Sequence, residues 1–286
     1  MVVGPTGIGK TSLAITLAQE RGTEIISADS RQIFKEMSIG TAKPTAEELA
    51  AVPHHFVGRM SIHDSYSAGQ FERDALAKIE ELHTKHDTVI MVGGSGLYVN
   101  AVLYGFDDLP GDSTIRATLK GRLEAEGLES LVTQLQSLDP ISAERVDAQN
   151  PQRVLRALEV CLSSGKPYSS LLNSGGKERP FDIVLIGLTA AREVVYERIN
   201  QRVDQMMASG LLEEAKNLFE FRHLNALQTV GYQELFTHLE GQCTLDEAVE
   251  LIKQNTRRFA KRQYTWFKKL EGLRWFEVGE EVDLCF

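Results

Sequence analysis

The chain has 286 residues, 42% of them hydrophobic and 25% charged, an ordinary globular composition that excludes wholesale disorder and suffices for one large or two modest domains. Acidic residues outnumber Lys plus Arg by 40 to 31, a formal net charge of −9, which argues against coating nucleic acid by bulk attraction and leaves room for a local basic groove. The three cysteines are dispersed, without a CxxC pair, and no apolar run reaches the ~18 residues of a spanning helix, so the expectation is a cytoplasmic protein with no zinc cluster and no membrane contact.

In chain order, Met1-Val2-Val3 reads as a strand that leads straight into Gly4-Pro5-Thr6-Gly7-Ile8-Gly9-Lys10-Thr11, leaving no room for a leader. A helix is expected from about Lys10 through 12–20, where Leu13, Ile15, Leu17 and Ala18 recur without a breaker. Short apolar runs predict strands over 24–27, 88–92 and 183–186, with a helix over 68–86 among them. Strands separated by helices mean an α/β, doubly wound parallel sheet. Between 112 and 179 nothing reads as a strand, and helices are predicted over 115–125, 128–138 and 151–163. We therefore expect a helical insertion domain over 112–179 within a core of 1–111 and 180–286, closed by a Gly/Ser/Lys-rich hinge over 173–177. From Arg192 to about Leu270 the pattern is mostly helical.

The segment Gly4 to Thr11 fits GxxxxGK[ST] in full, after a strand and before a helix, as the motif requires. Its glycines let several N–H groups point inward, the following helix contributes the positive end of its dipole, Lys10 supplies a cation, and Thr11 offers a hydroxyl to Mg²⁺. Such loops are nucleotide- and ATP-binding devices; this one calls for a polyphosphate without saying which. A kinase or ATPase commonly holds Mg²⁺ with a second carboxylate at the end of a buried strand. Here 89–92 ends in Gly93-Gly94-Ser95-Gly96, and the acid stands instead at Asp29, after the strand over 24–27. Alone, an Asp in that place more often caps a turn or a helix than abstracts a proton. On the same sheet edge as a phosphate loop it becomes a candidate base.

Charge is unevenly spread as well. Seven basic residues, Lys253, Arg257, Arg258, Lys261, Arg262, Lys268 and Lys269, fall within 253–269 with no acid among them and with Phe259, Tyr264, Trp266 and Phe267 interleaved. A basic aromatic helix on an acidic body is a surface for nucleic-acid phosphates, while its aromatics dock on the core.

Taken together, the loop at 4–11, Ser27-Ala28-Asp29-Ser30-Arg31-Gln32, Ile39-Gly40-Thr41-Ala42-Lys43-Pro44, Gly93-Gly94-Ser95-Gly96-Leu97-Tyr98, the segment from Gln152 to Glu159, and Ala260-Lys261-Arg262-Gln263-Tyr264-Thr265-Trp266 resemble the tRNA dimethylallyltransferases, in that order and over nearly the whole chain. The resemblance implies a P-loop NTPase-like fold and transfer of a dimethylallyl group from dimethylallyl diphosphate to the exocyclic N6 amine of the adenosine 3′ to the anticodon, releasing diphosphate, with Mg²⁺ as cofactor; a monomer is the default expectation, which the sequence leaves open. The implied roles follow. Gly4, Pro5, Thr6, Gly7, Ile8, Gly9, Lys10 and Thr11 bind the diphosphate, with Thr11 toward the metal. Asp29 is the base, and Thr6 and Arg202 act at the leaving group. The tRNA is met by Asp29, Ser30, Arg31, Gln32 and Ser95, where the family commonly has threonine, by Arg116, by Gln152, Arg153, Val154, Leu155 and Arg156, by Gln228, Gly231, Tyr232 and Gln233, and by Lys261, Arg262, Gln263 and Trp266. Relatives can carry arginine where Gln228 and Gln233 stand, so some backbone affinity is expected to be lost there. Against this reading stand a small-molecule kinase, an adenylate prenyltransferase acting on a free nucleotide, and a silent RNA binder on the same fold.

Overall fold

In the computed structural model, which describes residues 1–172 and 176–282, the chain divides into two compact units, one of 1–103 with 179–286 and one of 104–178. Among the described residues the first is built on six strands, β1 (Val2–Val3), β2 (Ile25–Ser27), β3 (His54–His55), β4 (Ile90–Val92), β5 (Ile186–Thr189) and β6 (Arg274–Glu277). They pair in the order β3-β2-β4-β1-β5-β6, every pair parallel. Around them, among the described residues, lie α1 (Lys10–Arg21), α2 (Ala46–Ala51), α3 (Ala68–His83) and α4 (Gly96–Tyr104). The second unit holds α5 (Ser113–Glu126), α6 (Leu128–Leu138), α7 (Pro140–Arg145), α8 (Pro151–Ser164) and α9 (Tyr168–Leu171). The chain then returns to the first unit with α10 (Arg192–Ala208), α11 (Leu211–Leu218), α12 (Tyr232–Leu239) and α13 (Leu245–Phe267).

The two-residue period of the strands explains why the sheet is covered on both faces. Val3, Ile26 and Met91 enter one apolar cluster, with α3, α4 and the C-terminal helices. Their immediate neighbours Val2, Ile25 and Ile90 enter another, against Ala14, Leu17 and Ala18 of α1. Successive side chains point to opposite faces, so a strand buried on both sides must be apolar throughout, which is the signature of a parallel sheet.

Two strands escape the sequence reading, and one moves. The edge strand β3 is two histidines long, and β6 has exposed Arg274 and Glu277 at its ends around half-buried Trp275 and Phe276, so neither carries an apolar run. The strand expected over 183–186 is displaced to β5, because pairing starts where Ile186 meets Val2 and continues through Gly187 opposite Val3. The apolar pattern breaks at Gly187 for a packing reason: a Cβ there would lie 2.7 Å from the Trp275 ring of β6. The helix expected over 68–86 stops at His83. Of the expected hinge, Asn173, Ser174 and Gly175 lie outside the described residues.

The helical unit has its own core of Leu119, Leu131, Leu135, Val154, Leu155 and Leu158, each at most 1% exposed. Asp139, 1% exposed, caps α7 by accepting from Ser142 N and also accepts the amide and hydroxyl of Ser169. Burial opposes its charge, but the Ser142 and Ser169 hydrogen bonds outweigh it and hold the carboxyl below its usual range.

Candidate active site

The loop from β1 to α1 lies at the C-terminal edge of the sheet, where open parallel sheets place their ligands. Gly4 adopts φ +146°, and a Cβ there would lie 2.7 Å from the Leu188 carbonyl of β5, so only glycine lets the loop leave the sheet this closely. Gly9, in left-handed conformation, starts α1 without a side-chain cap, so the first-turn amides of α1 have no side-chain partner at that position. Lys10 Nζ folds over the loop and donates to the Pro5 carbonyl at 2.8 Å. Burial, and then the neighbouring Arg202, push its pKa down to about 7 against the opposing pull of Asp29.

Two cavities open here. A small polar one of about 70 Å³ is lined by Lys10, Thr11, Ser27, Gln32 and Gly94, among others. A larger one of about 420 Å³ has Ser30, Arg31, Ser95, Gln228 and Gln233 on its polar side and Ile199, Val203, Met206, Leu211, Ile252 and Phe259 on its apolar side. Thr6, Asp29, Thr41 and Arg202 line both. A small chamber bearing the Lys10 ammonium thus adjoins a larger amphipathic chamber, with a carboxylate, hydroxyls and a guanidinium at the junction.

Hydrogen bonds fix Asp29 and join Arg202 to the loop. Asp29 Oδ1 accepts the amides of Arg31 at 2.8 Å and Gln32 at 3.2 Å, an Asx turn that fixes the carboxylate after β2. Arg202 reaches Thr6 Oγ1 from α10 at 3.4 Å. Burial of its guanidinium lowers its pKa, while Asp29 works to raise it. One turn earlier, Arg198 donates to the Ile8 carbonyl at 3.1 Å. Sequence reasoning missed Arg198; its i, i+4 spacing to Arg202 puts both on the helix face that meets the loop.

The other expected residues divide into those at the cavity and those that build it. Ser95 Oγ donates to Ser30 Oγ at 3.1 Å and accepts the Ser30 amide at 2.9 Å, joining the loops after β2 and β4. Arg31 lines the larger cavity, but its guanidinium donates to the carbonyls of Asn225 and Ala226 at 2.8 and 3.1 Å, so it also pins the segment leading to Gln228. Gln32 donates to the carbonyls of Thr41 and Ala42. Gln228 and Gln233 are paired, Nε2 of the second donating to Oε1 of the first at 2.7 Å. Gly231, at φ +99°, starts α12 and lines the larger cavity.

Four side chains expected to touch tRNA lie inside instead. Tyr232 is fully buried, and its hydroxyl donates to Glu214 Oε1 at 2.6 Å. Gln263 is 6% exposed and bonded at both ends of its amide. Val154 and Leu155, both 0% exposed, belong to the core of the helical unit. The reason is periodicity: α8 turns Gln152 and Arg153 outward and the next two residues inward. Within that unit Glu159, 7% exposed, gathers Arg116 at 3.0 Å and Arg156 at 3.3 Å, while Arg116 also donates to Gln152 Oε1 at 2.7 Å.

The basic helix is α13. Lys253 is committed to Asp204 and Glu250, and Arg257 to Asn200. Arg258, Lys261, Arg262, Lys268 and Lys269 are exposed. Trp266 is half-buried, with Nε1 3.5 Å from Asn100 Oδ1. Sequence reasoning also missed Glu214, whose carboxylate accepts the amides of Ser38, Ile39 and Gly40 in addition to the Tyr232 hydroxyl. One of two adjacent glutamates on α11 carries no sequence signal for that role. Among the described residues no helix is long and apolar enough to cross a membrane, and no cluster of three His, Cys, Asp or Glu forms a metal site.

Comparison with known proteins agrees with this geometry. The family model described as IPP transferase matches residues 32–270. The tRNA dimethylallyltransferase of Christiangramia forsetii is 53% identical over 286 residues, covering 100% of this chain and 95% of that protein. That of Flavobacterium johnsoniae is 54% identical over 98% of this chain and 93% of its own. Among solved structures, the full-length tRNA isopentenylpyrophosphate transferase of Bacillus halodurans is similar with a TM-score of 0.70 and 40% identity, over 96% of this chain and 88% of that one. A eukaryotic dimethylallyltransferase acting on tRNA gives a TM-score of 0.81 at 28% identity, over 96% and 72%. The fold is P-loop NTPase-like, and the chain belongs to the IPP transferase family, that of the tRNA dimethylallyltransferases.

Proposed function

We infer that this chain transfers the dimethylallyl group of dimethylallyl diphosphate to the N6 amine of the adenosine 3′ to a tRNA anticodon, releasing diphosphate. The observation that carries the reading is the pair of adjoining chambers with Asp29, Thr6 and Arg202 in their shared wall. In this assignment the diphosphate occupies the small chamber, where Lys10 and the loop amides meet its charge. The five-carbon chain lies along Ile199, Val203 and Ile252 at the apolar side of the larger chamber. The extruded adenine enters among Ser30, Ser95 and Gln228, whose polar groups return part of the cost of unstacking it.

Transfer breaks the bond between the allylic carbon and the diphosphate oxygen and forms one from that carbon to N6. Positive charge develops on carbon as negative charge develops on the leaving oxygen. Arg202 and the Thr6 hydroxyl stand at the junction to meet the second charge, and Asp29 accepts the proton that N6 loses. The donor set suits Mg²⁺: the small chamber presents the Thr11 and Ser27 hydroxyls and the Asp29 carboxylate, all hard oxygens. When bound with the diphosphate, the ion would be held from the protein side by Thr11 and would neutralise leaving-group charge. The exposed basic residues of α13, Lys261 and Arg262 first, meet the RNA backbone, and Arg153 with the Arg116–Gln152–Arg156 group of the helical unit contacts the anticodon arm. The chain acts as a cytoplasmic monomer.

The test is incubation of the purified protein and Mg²⁺ with dimethylallyl diphosphate labelled in its prenyl carbons, offering unmodified tRNA, free AMP, or no acceptor. Label in tRNA alone is expected. Label in AMP alone assigns the protein to nucleotide prenylation, and no transfer with turnover of ATP returns it to the kinases.

A further inference from the structure

Gln263 lies near the C-terminal end of the basic helix, between exposed Arg262 and half-buried Tyr264, and yet faces away from solvent, 6% exposed. Its Oε1 accepts the Thr6 amide proton at 2.8 Å, and its Nε2 donates to the Gly94 carbonyl at 2.9 Å. One side chain therefore ties the loop after β1 to the loop after β4, and a Cβ at Gly94 would collide with its Nε2. Phosphate loops bind anions through amides aimed at the ligand. The Thr6 amide is committed to Gln263 instead, so Thr6 presents its hydroxyl to the junction, 3.4 Å from Arg202 Nη1.

Resting on the function assigned above, we propose that Gln263 is a positioning residue for transfer, holding the Thr6 hydroxyl and the Arg202 guanidinium in register where the leaving diphosphate meets the acceptor chamber, and is not a tRNA contact. The argument is one of constraint. Thr6 follows Pro5, whose ring fixes one dihedral, and precedes Gly7 at φ +78°, a joint that leaves its orientation open on that side, so a partner outside the loop completes it. A buried amide on a 23-residue helix, satisfied at both ends, imposes it. Removing the acceptor leaves the Thr6 N–H free to turn toward the anion, which carries the hydroxyl away from Arg202. Misplacement of a reacting group by about 1 Å costs up to ~10²-fold in rate.

Two variants separate the possibilities. Gln263→Met keeps the volume and removes both hydrogen bonds; Gln263→Glu keeps an acceptor for the Thr6 amide. Single-turnover transfer to tRNA at saturating substrates is expected to fall about 10- to 100-fold in Gln263→Met and less in Gln263→Glu, with the Michaelis constant for tRNA and its salt dependence within about twofold of wild type. A raised Michaelis constant with an unchanged rate constant makes Gln263 a tRNA contact and overturns the proposal, as does an unchanged rate in both variants or an equal loss in both. Should Gln263→Met fail to fold, Gln263→Asn decides instead, because its amide is one methylene too short to reach the Thr6 amide: a loss of rate at constant Michaelis constant supports the proposal, and a rate equal to wild type overturns it. Wild-type enzyme assayed in parallel keeps the two levels apart, since absence of transfer there defeats the assigned function and not the role of Gln263.

Discussion

Tyr232 donates its hydroxyl to Glu214 at 2.6 Å while the same carboxylate accepts the amides of Ser38, Ile39 and Gly40. This hub holds the segment that supplies Thr41 to both chambers, and it anchors α12 directly after the loop bearing Gln228 and Gly231. Burial and the Glu214 carboxylate push the Tyr232 phenol far above its ordinary range. Tyr232→Phe leaves a partly buried carboxylate one donor short, and we expect a loss of about 1–3 kcal/mol in stability by denaturant unfolding. Glu214→Ala frees three backbone amides as well and should cost more, with a raised Michaelis constant for tRNA.

Lys10 provides a pH-dependent signature. Its folded-state pKa, lowered by burial first, is about 7, so above that pH the unliganded side chain is mostly neutral. A bound diphosphate favours the cation, so binding at pH 8 takes up a proton, and affinity falls as pH rises above 7, by up to about tenfold per unit. Calorimetry of diphosphate binding in buffers of different ionisation enthalpy measures that uptake. Lys10→Gln, titrated identically, is expected to lack it.

Asp29 has two tasks that one substitution can separate. Oδ1 holds the Asx turn through the amides of Arg31 and Gln32, and the carboxylate charge is the base in the proposed reaction. Asp29→Asn keeps an acceptor for the turn and removes the base. We expect single-turnover transfer to slow at least ~10²-fold while affinity for dimethylallyl diphosphate stays within about threefold. Equal rates for Asn and Asp would remove Asp29 from the chemistry.

Exposure of Lys261 and Arg262, against the commitment of Lys253 and Arg257 to other side chains, ranks the basic residues of α13. Reversing the charge of the first two should raise the Michaelis constant for tRNA and flatten its dependence on salt by ~0.7–0.9 in logarithmic slope for each phosphate no longer neutralised. Neutralising Arg257 is expected to leave the slope unchanged. A slope unaltered by both changes would place the RNA elsewhere.

In the helical unit, Asp139→Ala removes three hydrogen bonds from a site 1% exposed, at an expected cost of about 2–3 kcal/mol. Because the folded carboxyl titrates below its usual range, its contribution is complete above the unfolded pKa near 3.9 and is lost as pH falls through the folded value. Wild-type and variant unfolding curves should therefore differ most at neutral pH, and the difference should narrow as pH falls through the folded value.

The sequence by itself determined what depends on local pattern and on residue type at a fixed offset. The phosphate loop, the alternation of strand and helix, the helical stretch after Asp112 and the basic aromatic helix could all be read from it, because glycine spacing, apolar period and charge runs are properties of neighbours in the chain. The carboxylate at Asp29 could be assigned to the ligand edge, because parallel strands share one. Only the tertiary structure decided which side chains face the chambers and which build them. Gln263 and Tyr232 lie in segments that resemble tRNA-contacting ones, yet their partners, Thr6 and Glu214, stand 257 and 18 residues away. Arg31 and Gln32 likewise spend their donors on the carbonyls of Asn225, Ala226, Thr41 and Ala42. The edge strands β3 and β6 form on the pairing that β2 and β5 offer, without an apolar run of their own. A hydrogen bond between distant segments leaves no periodicity behind, so polar residues that look alike in the chain become contacts, struts or caps only when the fold chooses their neighbours.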